Sequence, residues 1–244
     1  MQFDSIGIGD ATYDIFLKFH EAQINTTLDP AQPKLVVNYG DKMIVDELDF
    51  ITGGNASNNV VGLSRLGKKV SFYNLSGDDE NRTKIVAKLT EEGVDTSLMV
   101  PIAGRKSNLA IVLRYLEEKT ELIYHDKHEY EVSDKLLAAP FMYLSSVGAT
   151  YEQFFFNLAD FVQKNNLKLV FNPASHQLRN NVSTYESILK CADMIFMNKE
   201  EAAHILGMEK ELGDAVLTLN GAKTNQALQT LVKDLMTKLK SYGS

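Results

Sequence analysis

The chain has 244 residues, 44% of them hydrophobic and 23% charged, with a formal charge of −7. That is an ordinary globular composition, long enough to bury one large core. No apolar run approaches the ~20 residues that span a bilayer. The segment Met1 to Asp10 lacks the basic and apolar stretches of a signal peptide, and no dense basic block offers a nucleic-acid surface. The expected partners therefore include neither membrane nor nucleic acid, and the lone Cys191 excludes an internal disulfide and fits a reducing cytoplasm.

Phe3 to Ile8 alternates and runs into Gly7-Ile8-Gly9-Asp10, which predicts a buried first strand. Short β-like runs follow at Tyr13 to Phe19, Leu35 to Tyr39 and Met43 to Phe50, separated by a polar loop, Asn25 to Pro33. Asn55 to Leu66 has helical spacing and stops at Gly67. Val70 to Leu75 reads as a strand, Asp79 to Glu92 as a helix, and Leu109 to Leu116 with Glu121 to Tyr124 as a hairpin. From residue 141 the rhythm is regular: strand Phe141 to Ser145, helix Tyr151 to Asn165, strand Leu167 to Phe171, helix Val182 to Lys190, strand Met194 to Met197, helix Lys199 to Leu206. This alternation implies an α/β fold with a doubly wound, mostly parallel sheet and helices on both faces. The irregular segments at roughly 13–50 and 97–124 break that rhythm, and are expected to form a small β-sheet lid at one edge. Thr224 to Tyr242 reads as an amphipathic helix with Leu228, Leu231, Leu235 and Leu239 on one face. Such a helix should feed a further strand, but the sequence stops at Gly243-Ser244, so the expectation is one domain, 1–244, cut short.

The strongest local signal is Gly53-Gly54-Asn55-Ala56-Ser57-Asn58-Asn59, followed by an apolar helix ending Arg65-Leu66-Gly67. Glycines let a backbone pass close to a ligand, the helix start offers unpaired N–H groups, and Asn side chains suit hydroxyls. A Gly-rich turn with Asn helix caps accounts for the same residues. His125-x-x-His128 with Asp126 has the composition of a metal site, but a hairpin exit makes a solvated surface pair the better reading. Arg105 and Lys106 sit in a turn and are read as solvated, though they could meet anions. Cys191 reads as a helix-end core residue. No Gly-x-x-x-x-Gly-Lys-Ser/Thr run is present, which disfavours a P-loop enzyme, and Gly7-x-Gly9 lacks the third glycine of a dinucleotide site.

Four pieces in one order resemble the PfkB (ribokinase-like) carbohydrate kinase family: Gly7-x-Gly9 with Asp14; the Gly53-Gly54 segment; Gly77-Asp78-Asp79-Glu80 with Glu92-Gly93-Val94-Asp95; and Ala192-Asp193 with Asn198-Lys199-Glu200-Glu201. The resemblance implies ATP-dependent phosphorylation of a hydroxymethyl group on a sugar or nucleoside. It implies that Asp14, Gly53, Gly54 and Asn58 bind the acceptor, and that Asn198 and Glu201 bind the ATP cofactor, with Glu201 supporting Mg²⁺ through water. A helix cap accounts for Asn198 and its acidic neighbours equally. The lid would exclude water, and its apolar face could carry a homodimer. Two departures stand out: Arg82 where the family has Gly, and Asn172 where Asp is common. The family's Gly-Ala-Gly-Asp run, which carries the base, is absent; Leu212-Gly213-Asp214-Ala215 is read as a loop. The catalytic base is therefore expected beyond Ser244, and the chain itself is expected to be inactive or nearly so. The alternatives are a sugar- or nucleoside-binding module without turnover, or a subunit of a lid-mediated dimer.

Overall fold

The structure, a computed structural model, describes residues 2–26, 33–148, 150–206 and 237. β1 (Ser5–Ile8) is buried at every position, the pattern of a central parallel strand. The chain then leaves the core through β2 (Thr12–Lys18), the antiparallel pair β3 (Gln23–Asn25) and β4 (Lys34–Val36), and β5 (Glu47–Gly53). It returns through α1 (Asn55–Arg65), β6 (Val70–Gly77), α2 (Glu80–Glu91) and β7 (Met99–Ile102). A second excursion, β8 (Asn108–Tyr115) and β9 (Glu118–Tyr124), leads back to β10 (Phe141–Leu144) and α3 (Glu152–Lys164). The regular alternation ends with β11 (Lys168–Phe171), α4 (Ser175–Leu178), α5 (Glu186–Cys191), β12 (Met194–Ile195) and α6 (Lys199–Leu206).

Six strands pair in the order β12-β11-β10-β1-β6-β7, every pairing parallel. The two excursions build a separate four-stranded sheet, β5-β2-β8-β9, in which only β2 and β8 run parallel. The doubly wound sheet and the lid sheet expected from the sequence are both present. Alternate residues of β6 serve opposite faces: Phe72 joins Val60 of α1 with Ile85 and Leu89 of α2, while Tyr73 and Leu75 join the larger cluster made with α3 and α5. In that cluster Phe155 is fully buried, 5.7 Å edge-on to Phe171 and 5.0 Å from Tyr151.

Several boundaries differ from expectation. Of the 97–124 stretch, Met99–Ile102 pairs with β6 and so extends the core sheet rather than the lid. The helix expected over Val182 to Lys190 is split, because the Asn181 side chain accepts from the Ser183 N–H and sets a 3₁₀ turn before α5 begins at Glu186. β12 is two residues long, shorter than its apolar run. Thr224 to Tyr242, apart from the helical Thr237, and Leu212 to Ala215 lie outside the described residues. So does Ser244, the residue past which the base is expected. Among the described residues no helix is long and apolar enough to cross a membrane.

Replacing Phe155 by Ala should lower unfolding stability by about 3–5 kcal/mol, through lost burial and the cavity left behind. Urea denaturation followed by circular dichroism checks this, and a loss below about 1 kcal/mol would contradict the packing described.

Candidate active site

β1 lies between β6 and β10, so the winding of the core sheet reverses direction there. In open α/β sheets ligands bind beyond the carboxyl ends of strands at such a point. A cleft of about 620 Å³ occupies that place, under the lid sheet, and is lined by Asp10, Asp14, Gly53, Gly54, Asn58 and Glu201 among others. Four acceptor residues expected from sequence and one of the two nucleotide-side residues thus share a single cavity. Asn198 does not line it.

Asp14 projects from β2, opposite Ile51 of β5 and Ala110 of β8. It is half-buried, and burial raises its carboxyl above the ordinary range against the lowering effect of a hydrogen bond with Thr12. Its Oδ1 is buried without a hydrogen-bond partner among the described residues. A carboxylate oxygen in that state inside a cleft is an acceptor for a ligand hydroxyl.

The two glycines explain how a carboxylate fits there. A Cβ on Gly53 would overlap Asp14 Oδ2, and one on Gly54 would stand 2.6 Å from the Asp10 carbonyl. Gly54 also has φ 102°, a backbone region that disfavours side chains. α1 starts at this turn without a side-chain cap, so the Asn-cap account of the motif is not the one realised. Asn55 instead donates to Asn172 Oδ1 at 3.2 Å. Asn172 also accepts from Tyr143 Oη at 3.2 Å and donates to the Phe196 carbonyl at 2.9 Å. That last bond needs an amide N–H, which the commoner aspartate lacks, so Asn172 ties β10, β12 and the start of α1 together.

Asn198 and Glu201 form a reciprocal cap at the start of α6. The Asn198 N–H donates to Glu201 Oε2 at 2.9 Å, and the Glu201 N–H donates to Asn198 Oδ1 at 2.8 Å. Glu201 Oε1 takes no part in these two bonds, and Glu201 lines the cleft. One carboxylate with room for water is a donor set that fits Mg²⁺, which keeps several waters and binds through one or two carboxylates plus phosphate. No group of three or more His, Cys, Asp or Glu with metal-holding geometry occurs among the described residues.

Asp10 is the site residue that the sequence reading passed over. It is 2% exposed, accepts from Tyr130 Oη at 3.0 Å and Ser146 Oγ at 3.2 Å, and lies 3.9 Å from His125 Nδ1. Burial holds its carboxyl up at about 7 despite these donors. A carboxylate directly after a wholly buried strand was the signal available. Of the pair expected to be solvated, His125 is exposed and His128 is not. His125 lines the cleft, while His128 is 1% exposed and burial lowers its pKa. Arg105 pairs with Asp126 at 3.3 Å and the Lys106 N–H donates to the same carboxylate at 2.7 Å, so this turn is internally satisfied. Arg82 donates to the Met99 carbonyl at 3.0 Å and joins α2 to β7. Cys191 ends α5 and packs on the core as expected, its thiol pushed up to about 11 by burial.

Because Asp10 binds its proton far more tightly when folded than the ordinary value of 3.8, the folded state holds more protons between pH 4 and 7. Stability should therefore fall as pH rises through that window, by up to about 1.4 kcal/mol per pH unit from this group. Asp10→Asn should flatten that fall. Equal slopes for the two proteins in urea titrations from pH 4 to 7 would contradict the burial described.

A family model described as "pfkB family carbohydrate kinase" matches residues 22–235. The chain is 22% identical over 176 residues to the ribokinase of Haemophilus influenzae, covering 70% of this chain and 56% of that protein. It is 30% identical over 165 residues to the 5-dehydro-2-deoxygluconokinase of Mesomycoplasma hyopneumoniae, covering 61% and 49%. The chain thus spans about half the length of these relatives. Among solved structures, Arabidopsis thaliana ribokinase complexed with ribose and ATP superposes with a TM-score of 0.70 at 15% identity, over 96% of this chain and 70% of that one. A PfkB protein from Polaromonas superposes with a TM-score of 0.70 at 15% identity, over 99% and 74%.

Proposed function

The chain belongs to the pfkB family of carbohydrate kinases, and from that premise we propose that the protein it represents transfers the γ-phosphoryl group of ATP to a hydroxymethyl group of a sugar or nucleoside. The observation that carries this reading is the unpaired Oδ1 of Asp14, whose carboxylate stands against the Gly53-Gly54 turn inside one cleft at the sheet's switch point. Asp14 accepts hydrogen bonds from hydroxyls of the acceptor, and the open start of α1 with Asn58 lines the same side. Glu201, oriented by Asn198, would hold Mg²⁺ through water on the nucleotide side, and the ion would supply neutralising charge at the phosphates. The acceptor oxygen attacks the γ-phosphorus, the bond to the β–γ bridging oxygen breaks, ADP leaves, and the hydroxyl proton passes to a base. Positioning and neutralisation provide most of the rate in such transfers.

The base is proposed to lie beyond Ser244 and is assigned to none of residues 1–244, since no Gly-Ala-Gly-Asp run is among them. The absence of that run favours a second reading, in which this chain binds ligands with little turnover. Its ADP release should lie at least about a hundredfold below the 1–100 s⁻¹ of typical kinases. A coupled ADP assay with D-ribose and 5-dehydro-2-deoxygluconate decides the matter: release at an ordinary rate would assign the base to this chain and overturn its placement beyond Ser244. We also propose that the chain forms one domain with the lid sheet as its cover. A second copy is the partner proposed for the lid's outer face, where Leu48 and Leu122 are each 54% exposed, and sedimentation velocity tests it.

Binding tests the site itself. At least one of D-ribose, adenosine and 5-dehydro-2-deoxygluconate should raise the melting temperature of the chain. Asp14→Asn should weaken that ligand about tenfold or more, the usual cost of losing a hydrogen bond to a charged group. Unchanged affinity in Asp14→Asn, or no shift with any of the three, would sink the acceptor assignment.

A further inference from the structure

A second cleft, of about 550 Å³, opens on the other side of the lid root, where β2 and β5 meet α1 and α2. Side chains alternate along β2, so Tyr13 faces away from Asp14, paired in register with Thr52. Tyr13 stacks on Phe50 with ring centroids 5.8 Å apart and planes 14° from parallel. Phe50 is 54% exposed in the single chain, so one apolar ring face is open there at the edge of the lid's outer face. From α2, Lys84 sets its ammonium 4.8 Å from the centre of the Tyr13 ring, and Lys88 follows one turn later on the same helix face.

The charges around this cleft are unevenly matched. Arg65 holds Glu92 through two 2.7 Å bonds. Lys88 shares Glu92 at 3.1 Å and also pairs with Glu91 at 3.0 Å. Lys84 is the cation whose described contact is an aromatic face instead of a carboxylate. The floor is apolar, with Val61 and Leu89, and at Gly62 an added Cβ would meet nothing within 4 Å. The cavity therefore offers a ring-sized apolar slot, a stacking face and, among the described residues, one uncommitted cation, within the size range of small-molecule sites. Ile51, Thr52 and Asn58 line both this cleft and the acceptor cleft, so the two cavities share a wall.

We propose that this outer cleft is a second ligand site, taking a small molecule that joins a planar ring to an anionic group, the chemistry of a nucleoside monophosphate. The ring stacks beside Phe50 and the anion takes Lys84 from its cation–π contact with Tyr13. An occupant moves Asn58 and Thr52, and so alters acceptor affinity from outside the cleft, a coupling that is reciprocal by necessity. The site stands apart from the kinase reading, because none of its charged groups serves the acceptor or the nucleotide.

Calorimetric titration of the chain with AMP tests it. Wild type should bind AMP, and adenosine, which lacks the anion, should bind more weakly. Lys84→Met, a change at an exposed position, should weaken AMP about tenfold or more, and Gly62→Leu, which fills the floor without touching a charge, should do the same. The double variant Asn198→Ala, Glu201→Gln should leave AMP affinity within about twofold of wild type. Absence of AMP binding would overturn the proposal. So would AMP binding unchanged by Lys84→Met and Gly62→Leu, or binding lost in the Asn198/Glu201 variant, which would assign the nucleotide to the main cleft.

Discussion

At Gly53-Gly54 the chain passes from the lid to the core through a gap that has no room for a side chain. A Cβ on either residue would collide with Asp14 or with the Asp10 backbone, so at these two positions the chain approaches Asp10 and β2 as bare backbone. Three features of the cleft follow from that approach. Asp14 can stand half-buried in the wall, where burial raises its pKa and one oxygen stays unpaired. α1 begins without a side-chain cap, and so leaves its first N–H groups without a capping side chain at the cavity wall. Asn55 is released to reach Asn172, and through it ties the end of the lid to β10 and β12.

Where β8 and β9 join the core, the lid is anchored by charge-assisted hydrogen bonds, while at the β2 root Tyr13 packs into the cluster of α1 and α2. Asp79 accepts from both the backbone and the hydroxyl of Ser107 at 2.8 and 2.6 Å while also capping α2. Asp126 accepts from the Lys106 N–H at 2.7 Å and pairs with Arg105 at 3.3 Å. Its own N–H donates to Asn108 at 3.0 Å. Such bonds are shorter and stronger than neutral ones and fix direction, so both strands that enter and leave the lid hold a set angle over the cleft. Farther out, β9 is exposed along its whole length and β5 up to Ile51. The lid's apolar residues there, unlike those of the core sheet, have no second layer among the described residues.

The core was legible in the sequence because its signals are local. Wholly apolar short strands, alternating with helices that end at Gly67 and Gly93, predict a parallel sheet, and that sheet is present. The glycine pair and Asp14 were found through a motif and fall in one cleft. Other features depend on what touches what. Asp10 drew no notice because a carboxylate after a strand usually meets solvent; only the lid segment folding back delivers Tyr130, 120 residues away, to enclose it. His128 is buried by the same return of the chain. The segment around Met99 reads as lid by composition but pairs with β6, and pairing partners at long range leave no trace in a single strand's own residues. The helix near Asn181 broke where a side chain competed with the backbone, a contest that periodicity does not record.

The cap at α6 shows why a structural and a functional account of one residue pair need not compete. Glu201 and Asn198 satisfy each other's backbone N–H groups, which by itself explains their spacing of three. The same two bonds fix the carboxylate's orientation, since one oxygen is held by the Asn198 N–H and the other is directed by that bond. A free glutamate at this place would lose rotamer entropy of up to about 2 kcal/mol on binding an ion; here the helix cap has already ordered it. On the proposed reading, in which Glu201 meets an ion, stability of α6 and readiness of Glu201 rise together, and a substitution at Asn198 acts on both at once. An effect at Asn198 is separable into the two only by comparing helix stability with ion affinity, because the hydrogen bonds that carry them are the same.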